Sequence, residues 1–511
     1  MINFKEYKSK TGEEILYVGN PDFEKLETLV VGNGDIWHSS LNQGYQDCFK
    51  EIVYQTATFW YINDVVGLPQ SVNWRINPNQ FAVRKNVWEF YGGFENCYKS
   101  DEMKALDFGY NSLCYRGVIP LFVDRLFSSS SQTVSIPLVD KYAFYFRNFK
   151  SQHAFYFLYR AGVWKPDHVV AFLKARNATK LKHSELLYPP KELKAIEGQP
   201  KVSYIIPTML RQDFTLNLLD DLKNQSYQPT QVVVIDATPL EKRNDFLYNP
   251  KNYPFEVIFL WQQTKGSCRA RNEAIELCTG DYIVFGDDDI RIPSNFIENH
   301  IRLLQTYNAV ASNGLDVRAD NQFQDLQDLE AKLKKIDNKR WYVGVTNSFS
   351  NANSCVRKDV IDILKGNDIN YDGGYGEDSD FGISISRLGA PVLHNPFSAN
   401  LHLKPPIGGY RFWGSQAKIK GKKRKKQPWE LDEPVKNIVP VPSPTITYQI
   451  LKYYTKQQLA EYRHKYFLMY LFKKPIYFTI FRVLFLPYKM MQFKRSVFYA
   501  EKLIKLGKRT H

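Results

Sequence analysis

Four short apolar runs between Val202 and Phe285 decide what this chain can fold into. They read Val202–Pro207 (VSYIIP), Gln231–Asp236 (QVVVID), Phe255–Leu260 (FEVIFL) and Tyr282–Phe285 (YIVF). None alternates polar with apolar residues, so each is expected to be a strand buried on both faces. Between them lie helical patterns, one over Phe214–Asn224 with Leu218, Leu219 and Leu222 at helical spacing, another near Ala270–Leu277. Buried strands interleaved with helices predict parallel β/α units, and hence a nucleotide-binding α/β domain over 201–410.

At 511 residues the chain exceeds what one core supports, so further domains are expected on either side. The Pro- and Gly-bearing stretch 188–200 (YPPKELKAIEGQP) reads as a linker and leaves residues 1–187 as an N-terminal α/β domain. After the central domain, 411–445 holds a basic run, Lys418–Lys426, and a proline-rich joint, Pro434–Pro444. Residues 446–511 read as helical, aromatic and basic, with Pro475 and Pro487 expected to break them into pieces. Charge follows the same division. Arg411–His511 carries 23 Lys/Arg against 5 Asp/Glu, whereas the rest of the chain is nearly neutral. That asymmetry argues against a protein coated by nucleic acid and for a tail with an anionic partner.

One internal repeat stands out. Val83-Arg84-Lys85-Asn86-Val87 parallels Val356-Arg357-Lys358-Asp359-Val360, and 25 residues after the first valine of each come Phe108-Gly109 and Phe381-Gly382, both preceded by Asp. Arg116-Gly117 and Arg387-Leu388-Gly389 close the two copies. The N-terminal region therefore reads as an altered copy of the later half of the central domain.

The chemistry concentrates at two acidic motifs. Asp287-Asp288-Asp289 directly follows the Tyr282–Phe285 strand, where three adjacent carboxylates repel unless a cation sits among them. Oxygen ligands of this kind suit Mg²⁺ or Mn²⁺ shared with a diphosphate. Some 90 residues later comes Asp372–Gly382 (DGGYGEDSDFG), whose glycines let the backbone bend and hold Glu377-Asp378 at a cleft edge, as a general base requires. The same acidic cluster would also suit a helix N-terminus.

Taken in order, Val202–Arg211, Asp236, Arg269-Ala270-Arg271-Asn272, Gly280–Asp289 and Gly376–Gly382 resemble family 2 glycosyltransferases of the GT-A fold across about 200 residues. The resemblance implies an inverting transferase that uses a nucleotide-diphosphate sugar, a UDP-sugar first among them, for hexosyl or N-acetylhexosaminyl transfer, with Mn²⁺ or Mg²⁺. It implies that Thr208 and Arg211 lie beside the nucleotide, that Asp236 meets the base, and that Lys265 and Arg271 face the diphosphate. Asp287 would hold ribose or sugar, with Asp288 beside it, and Asp289 with His402 would hold the metal. Of Glu377 and Asp378, the aspartate would be the base. Gly286 departs from the family's usual Leu.

Shifting the repeat by 273 residues sets Lys104 and Ala105 opposite Glu377 and Asp378, so the first copy lacks the base. Its expected role is acceptor binding or dimer packing, with an unrelated α/β domain as the alternative. Tyr466–Met491 is apolar and aromatic, but Lys473, Lys474 and Arg482 interrupt it before it reaches the ~18 residues of a membrane span. Lying on an anionic membrane surface and packing on the body are both open. Lys418–Lys426 could act as a lid over the diphosphate. Six scattered cysteines and an N-terminus without an apolar leader fit a cytoplasmic enzyme, peripheral on the membrane, with a glycan or lipid-linked acceptor. A metal-dependent nucleotidyltransferase or a non-catalytic membrane- or nucleic-acid-binding protein are the rival readings.

Overall fold

A computed structural model of the chain describes residues 3–55, 63–129, 133–178, 186–244, 246–248, 252–263, 265–346, 348–410, 438–473 and 475–511. The basic run Lys418–Lys426 and its lid reading lie outside the described residues.

The four apolar runs form strands β7 (Val202–Thr208), β8 (Gln231–Asp236), β9 (Glu256–Trp261) and β10 (Tyr282–Gly286), paired parallel in the order β10-β7-β8-β9. Helices α8 (Gln212–Lys223) and α9 (Ser267–Glu276) make the crossovers. Leu218, Leu219 and Leu222 of α8 are buried, as their spacing predicts. Beyond β10 the sheet ceases to be parallel. It continues through β13 (Asn353–Arg357), β12 (Ala311–Arg318), β14 (Val392–His402) and the two-residue β11 (Ile290–Arg291), giving eight strands in a mixed α/β sheet. β13 runs antiparallel to β10, which brings residues 353–357 back along the strand that ends in the three aspartates.

The N-terminal residues build a second sheet of six strands in the order β1-β2-β5-β3-β6-β4. These are β1 (Lys5–Lys8), β2 (Glu14–Val18), β3 (Ile36–His38), β4 (Gln70–Val72), β5 (Phe81–Arg84) and β6 (Pro120–Val123). Here β5 lies antiparallel between β2 and β3, and β3 pairs parallel with β6. In the larger sheet β13 lies antiparallel between β10 and β12, and β12 pairs parallel with β14. The helices correspond too. α3 (Lys85–Tyr91) follows β5 as α12 (Lys358–Leu364) follows β13, and α4 (Asp101–Asn111) precedes β6 as α13 (Glu377–Ser386) precedes β14. Among the described residues the smaller sheet has no counterpart of the parallel strands β7, β8 and β9: its β1 pairs antiparallel with β2.

Residues 188–200 are not a free joint. Lys191, Lys194 and Glu197 donate backbone N–H groups to Tyr307, Thr306 and Gln305, at the end of α10 (Phe296–Thr306) and just beyond it, and Arg302 returns a hydrogen bond to Lys194 O at 2.8 Å.

The C-terminal region is helical: α14 (Pro444–Tyr453), α15 (Lys456–Leu471) and α16 (Thr479–Leu506). Among the described residues no helix is long and apolar enough to cross a membrane. Pro475 falls between α15 and α16, but Pro487 lies inside α16 and does not break it, contrary to the expectation from sequence. A proline removes one helical N–H and so orphans the carbonyl of residue 483. Val483 is exposed, so water can satisfy that carbonyl and the helix continues.

α14 and the second half of α16 pack on the loop that precedes α13. Tyr448, Tyr499, Ala500 and Leu503 form one buried cluster with Ile369, Tyr371 and Cys268. At its edge Lys452 Nζ lies 2.9 Å from Asp380 Oδ1 and 3.1 Å from Asp368 Oδ2, so one ammonium neutralises two buried carboxylates. Lys452→Met is expected to leave both carboxylates buried without a cation, costing about 3–5 kcal/mol, while Lys452→Arg costs much less. Thermal unfolding followed by circular dichroism checks this. A Lys452→Met melting curve that overlays wild type would show that the pair contributes nothing.

Candidate active site

The carboxyl ends of β7, β8 and β10 converge on one edge of the sheet, where open α/β sheets place their ligands. β10 ends at Gly286 because nothing larger fits: a Cβ there would lie 2.1 Å from Tyr204 Oη. The tyrosine of β7 thus fills the space that a leucine would take, which accounts for the departure noted in the sequence.

The three aspartates that follow have three different settings. Asp288 is buried and accepts from Thr208 Oγ1 at 2.7 Å and Arg211 Nη1 at 3.0 Å. The same Arg211 nitrogen lies 2.8 Å from Asp289 Oδ2. Burial pushes the Asp288 carboxyl up to about 7 despite Arg211, and neighbouring Asp289 adds to the rise. Asp287 is less buried and pairs with Arg271 of α9. Thr208 and Arg211, expected beside the nucleotide, therefore hold the acidic motif itself. Arg211 is fixed in turn by the Ile407 carbonyl at 3.2 Å and by the close approach of Gly408, whose Cβ would lie 2.6 Å from its side chain.

His402 reaches this edge although it is over a hundred residues away, because β11 pairs antiparallel with β14 and sets Ile290 opposite His402. Its Nε2 lies 3.3 Å from Asp289 Oδ1 and its Nδ1 lies 3.0 Å from Asp316 Oδ1. Burial alone would lower the imidazole pKa. The two carboxylates outweigh it and raise it to about 10, while Asp289, also buried, is held below its ordinary value by His402 and Arg211.

Asp287, Asp289 and His402 offer ligand atoms that all lie within 4.8 Å of one another. Two carboxylates and an imidazole held from behind by Asp316 fit Mn²⁺ or Mg²⁺. The geometry thus brings Asp287 into the group that could hold a metal, where the sequence had set it on ribose or sugar.

The second acidic motif opens α13. Gly376, at φ 109°, is the N-cap, a conformation that favours glycine, and Glu377 is the first helical residue. The helix-terminus reading and the cleft-edge reading therefore describe the same residues. Asp378 Oδ1 accepts from both the side-chain amide and the backbone N–H of Asn351, the latter at 3.2 Å. Burial lifts the Asp378 carboxyl to about 7, the charge of Glu377 lifts it further, and Arg271 opposes both. Arg271 is buried and faces Asp287, Asp378 and Glu377 at once.

Asp236 ends β8, buried, accepting from Thr238 N at 2.8 Å and Tyr248 Oη at 3.2 Å. Lys265 stands in the loop before α9, partly buried. α9 is the clamp of the site: Arg269 pairs with Asp372 at 3.4 Å, Arg271 with Asp287, and Asn272 Nδ2 donates to the carbonyls of Asn367 and Thr510.

This edge lies within a recognisable family. Residues 203–364 match the family model for glycosyl transferase family 2. The chain carries a family 2 glycosyltransferase domain. It is 27% identical over 173 residues to an uncharacterized glycosyltransferase of Haemophilus influenzae, a match that covers 33% of this chain and 66% of that protein. It is 30% identical over 121 residues to a poly(ribitol-phosphate) beta-glucosyltransferase of Bacillus spizizenii, covering 23% of this chain and 18% of that one. The chain thus spans just under two thirds of the first relative and a small part of the second. A solved mannosyltransferase from Pyrobaculum calidifontis, in complex with GDP-Man and Mn²⁺, aligns at 17% identity with a TM-score of 0.33, covering 61% of this chain and 89% of that one.

The sequence reading missed Asn351, Asp316, Tyr248 and Lys452. Asp289→Asn is expected to weaken Mn²⁺ binding at least tenfold, because it removes one charge from the ligand set while keeping its shape. Electron paramagnetic resonance of free Mn²⁺ during titration measures this without any sugar donor. Undiminished affinity would remove Asp289 from the metal set.

Proposed function

We propose that the protein is an inverting glycosyltransferase that moves a sugar from a nucleotide-diphosphate donor to a hydroxyl of a glycan or lipid-linked acceptor. The observation that carries this reading is that Arg271 links two acidic groups of different character. On one side lies Asp287 of the first acidic motif, paired with Arg271, and on the other Asp378 of the second, with its pKa near 7. A carboxylate near 7 is part ionised at neutral pH and basic enough to take a proton from a sugar hydroxyl. In the proposed step Asp378 accepts the acceptor's proton while the acceptor oxygen attacks the anomeric carbon. The bond from that carbon to the diphosphate oxygen breaks, and the nucleoside diphosphate leaves. Asn351 aims the Asp378 carboxylate, and Arg271 faces the developing negative charge. Asp236, fixed by Thr238 and Tyr248, would meet the nucleotide base, with Lys265 near the diphosphate. A divalent cation on Asp287, Asp289 and His402 would supply charge neutralisation for the leaving diphosphate.

Assembly of a bacterial surface polysaccharide is the proposed setting, supported by relatives such as the Bacillus spizizenii enzyme and an amylovoran biosynthesis glycosyltransferase of Erwinia amylovora. The N-terminal domain is proposed as a non-catalytic copy that binds acceptor or packs against a partner. It shares the order of four strands, β2-β5-β3-β6 against β10-β13-β12-β14, but has Lys104 and Ala105 opposite Glu377 and Asp378.

Asp378→Asn should leave donor affinity close to wild type and lower turnover by about 10²- to 10⁴-fold. Loss of donor binding instead would make the residue part of the nucleotide site. In wild type kcat/KM should rise with pH up to about 7 and then level off, since the base works only when deprotonated. Asn351→Ala removes a hydrogen bond that favours the carboxylate, so it should move that limb to higher pH. An unmoved limb in Asn351→Ala would assign the titration to another group.

A further inference from the structure

The first half of α16 leaves its apolar side chains exposed. Its second half buries Phe493, Ser496, Tyr499, Ala500 and Leu503 on one face, at helical spacing. Between residues 480 and 491 none of the apolar side chains is buried: Ile480 is 75% exposed, Leu484 71%, and Phe481 and Phe485 60% each. Ile480, Leu484, Tyr488 and Met491 recur every three or four residues and form a stripe with Phe481 and Phe485 beside it. Arg482 and Lys489, seven residues apart, share another face. Arg482 turns toward the end of α15, where Nη1 donates to the Leu471 carbonyl at 3.3 Å.

Charge decides what covers this stripe. Residues 462–500 hold eight Lys/Arg and no Asp or Glu. A second copy of the chain would set two such surfaces against each other, each with the same sign. A bilayer containing anionic lipids offers the opposite sign together with an apolar interior for the stripe. Tyr477, 73% exposed, and Tyr488 sit at the two ends of the stripe, where amphipathic rings favour the boundary between headgroup and hydrocarbon. Next to the stripe, α15 and α16 enclose a cleft of about 550 Å³ that combines Lys456, Arg463 and Lys494, against the single carboxylate of Glu501, with Phe467 and Met490. A net-cationic lining over an apolar floor matches one phospholipid, phosphate above and acyl chain below.

We propose that the α15–α16 hairpin docks the enzyme on an anionic phospholipid bilayer, with the 480–491 half of α16 lying in the interface and the cleft holding a lipid phosphate. The same helix that meets the lipid packs, one half-length later, on the loop that positions Asp378. Docking therefore sets the catalytic edge at a fixed height relative to the membrane, where a lipid-linked acceptor presents its hydroxyl. This deepens the acceptor reading proposed above, but the binding itself needs no turnover.

The test is sedimentation of the full chain with vesicles of phosphatidylcholine alone and of phosphatidylcholine mixed with phosphatidylglycerol. Wild type and Asp289→Asn should both bind the anionic vesicles, and binding should fall as salt rises, because exposed charges are screened within about 8 Å at physiological ionic strength. Replacing Ile480, Leu484 and Phe485 by Glu should lower binding at least tenfold. Arg463→Gln with Lys494→Gln should lower it about fivefold per charge. Should the triple variant prove insoluble, hydrogen exchange of the wild-type 477–491 amides decides: anionic vesicles should slow it and neutral ones should not. No binding to anionic vesicles, or binding indifferent to lipid charge and salt, overturns the proposal. So does a concentration-dependent dimer that the triple variant dissociates, which would make the stripe a self-interface. Because Asp289→Asn is tested beside wild type, a failure of docking and a failure of the catalytic reading give separate results.

Discussion

One nitrogen of Arg211 is shared between Asp288 and Asp289, and the geometry of the whole edge depends on that sharing. Two adjacent buried carboxylates at the end of a strand would repel strongly in a medium of low dielectric. Arg211 and Thr208 draw Asp288 inward, beneath the site. This frees Asp289 to point the other way, toward His402, and leaves Asp287 to Arg271. The three consecutive residues consequently have three settings: a buried anchor, a carboxylate paired with the β14 histidine, and a partner for the cation of α9. Removing Arg211 would free the buried anchor first and disturb the other two through it.

The second acidic group is held by a different part of the chain. α13 begins at Glu377, and its first turn is fixed from outside the central domain by α14, through Lys452 on Asp380, Gln449 on the Gly376 carbonyl at 3.2 Å and Thr445 on the Tyr375 N–H at 3.1 Å. The tail then wraps onto α9, where Asn272 accepts the last turn of the chain by donating to Thr510 O at 2.8 Å. Arg271 and Asp378 thus sit on two elements that the C-terminal helices tie together. Of the two readings left open for the tail, packing on the body holds for its second half, which struts this edge. The first half of α16, by contrast, keeps its apolar side chains exposed.

What could be read from the residues alone follows a physical line. β7, β8 and β10 were legible because a strand buried on both faces must be spelled in apolar residues; β9, though read the same way, is the edge strand and leaves Glu256 and Leu260 exposed. The acidic motifs were legible because clustered carboxylates need something to balance them. Asn351 and Asp316 were not. A single amide or carboxylate in a loop or on a partly exposed strand has no periodic signature, and their roles exist only once β13 folds back along β10 and β12 lies beside β14. Lys452 was hidden among the tail's many basic residues, all alike in sequence, although it lies between two buried aspartates. Pro487 misled for a different reason: a proline removes one helical N–H and crowds the carbonyl four residues back, yet a helix can run through it, as α16 does.

The two sheets show how little of a fold carries its chemistry. Register places Tyr17 opposite Ala82 in the small sheet and Val284 opposite Cys355 in the large one. With Ala82 and Cys355 matched by the repeat, Gly19-Asn20-Pro21-Asp22 occupies the place of Gly286-Asp287-Asp288-Asp289. The strand-end glycine is kept, but the acids are reduced to one, and Asp22 is used as the N-cap of the helix at Phe23–Val30, accepting from Lys25 N at 3.1 Å. A carboxylate satisfied by a helix terminus has little left to offer a cation. Among the described residues the small sheet also lacks the parallel strands that flank β10 in the large one, since β1 runs antiparallel to β2, so the shared part of the two sheets is the four-strand order β2-β5-β3-β6 and β10-β13-β12-β14.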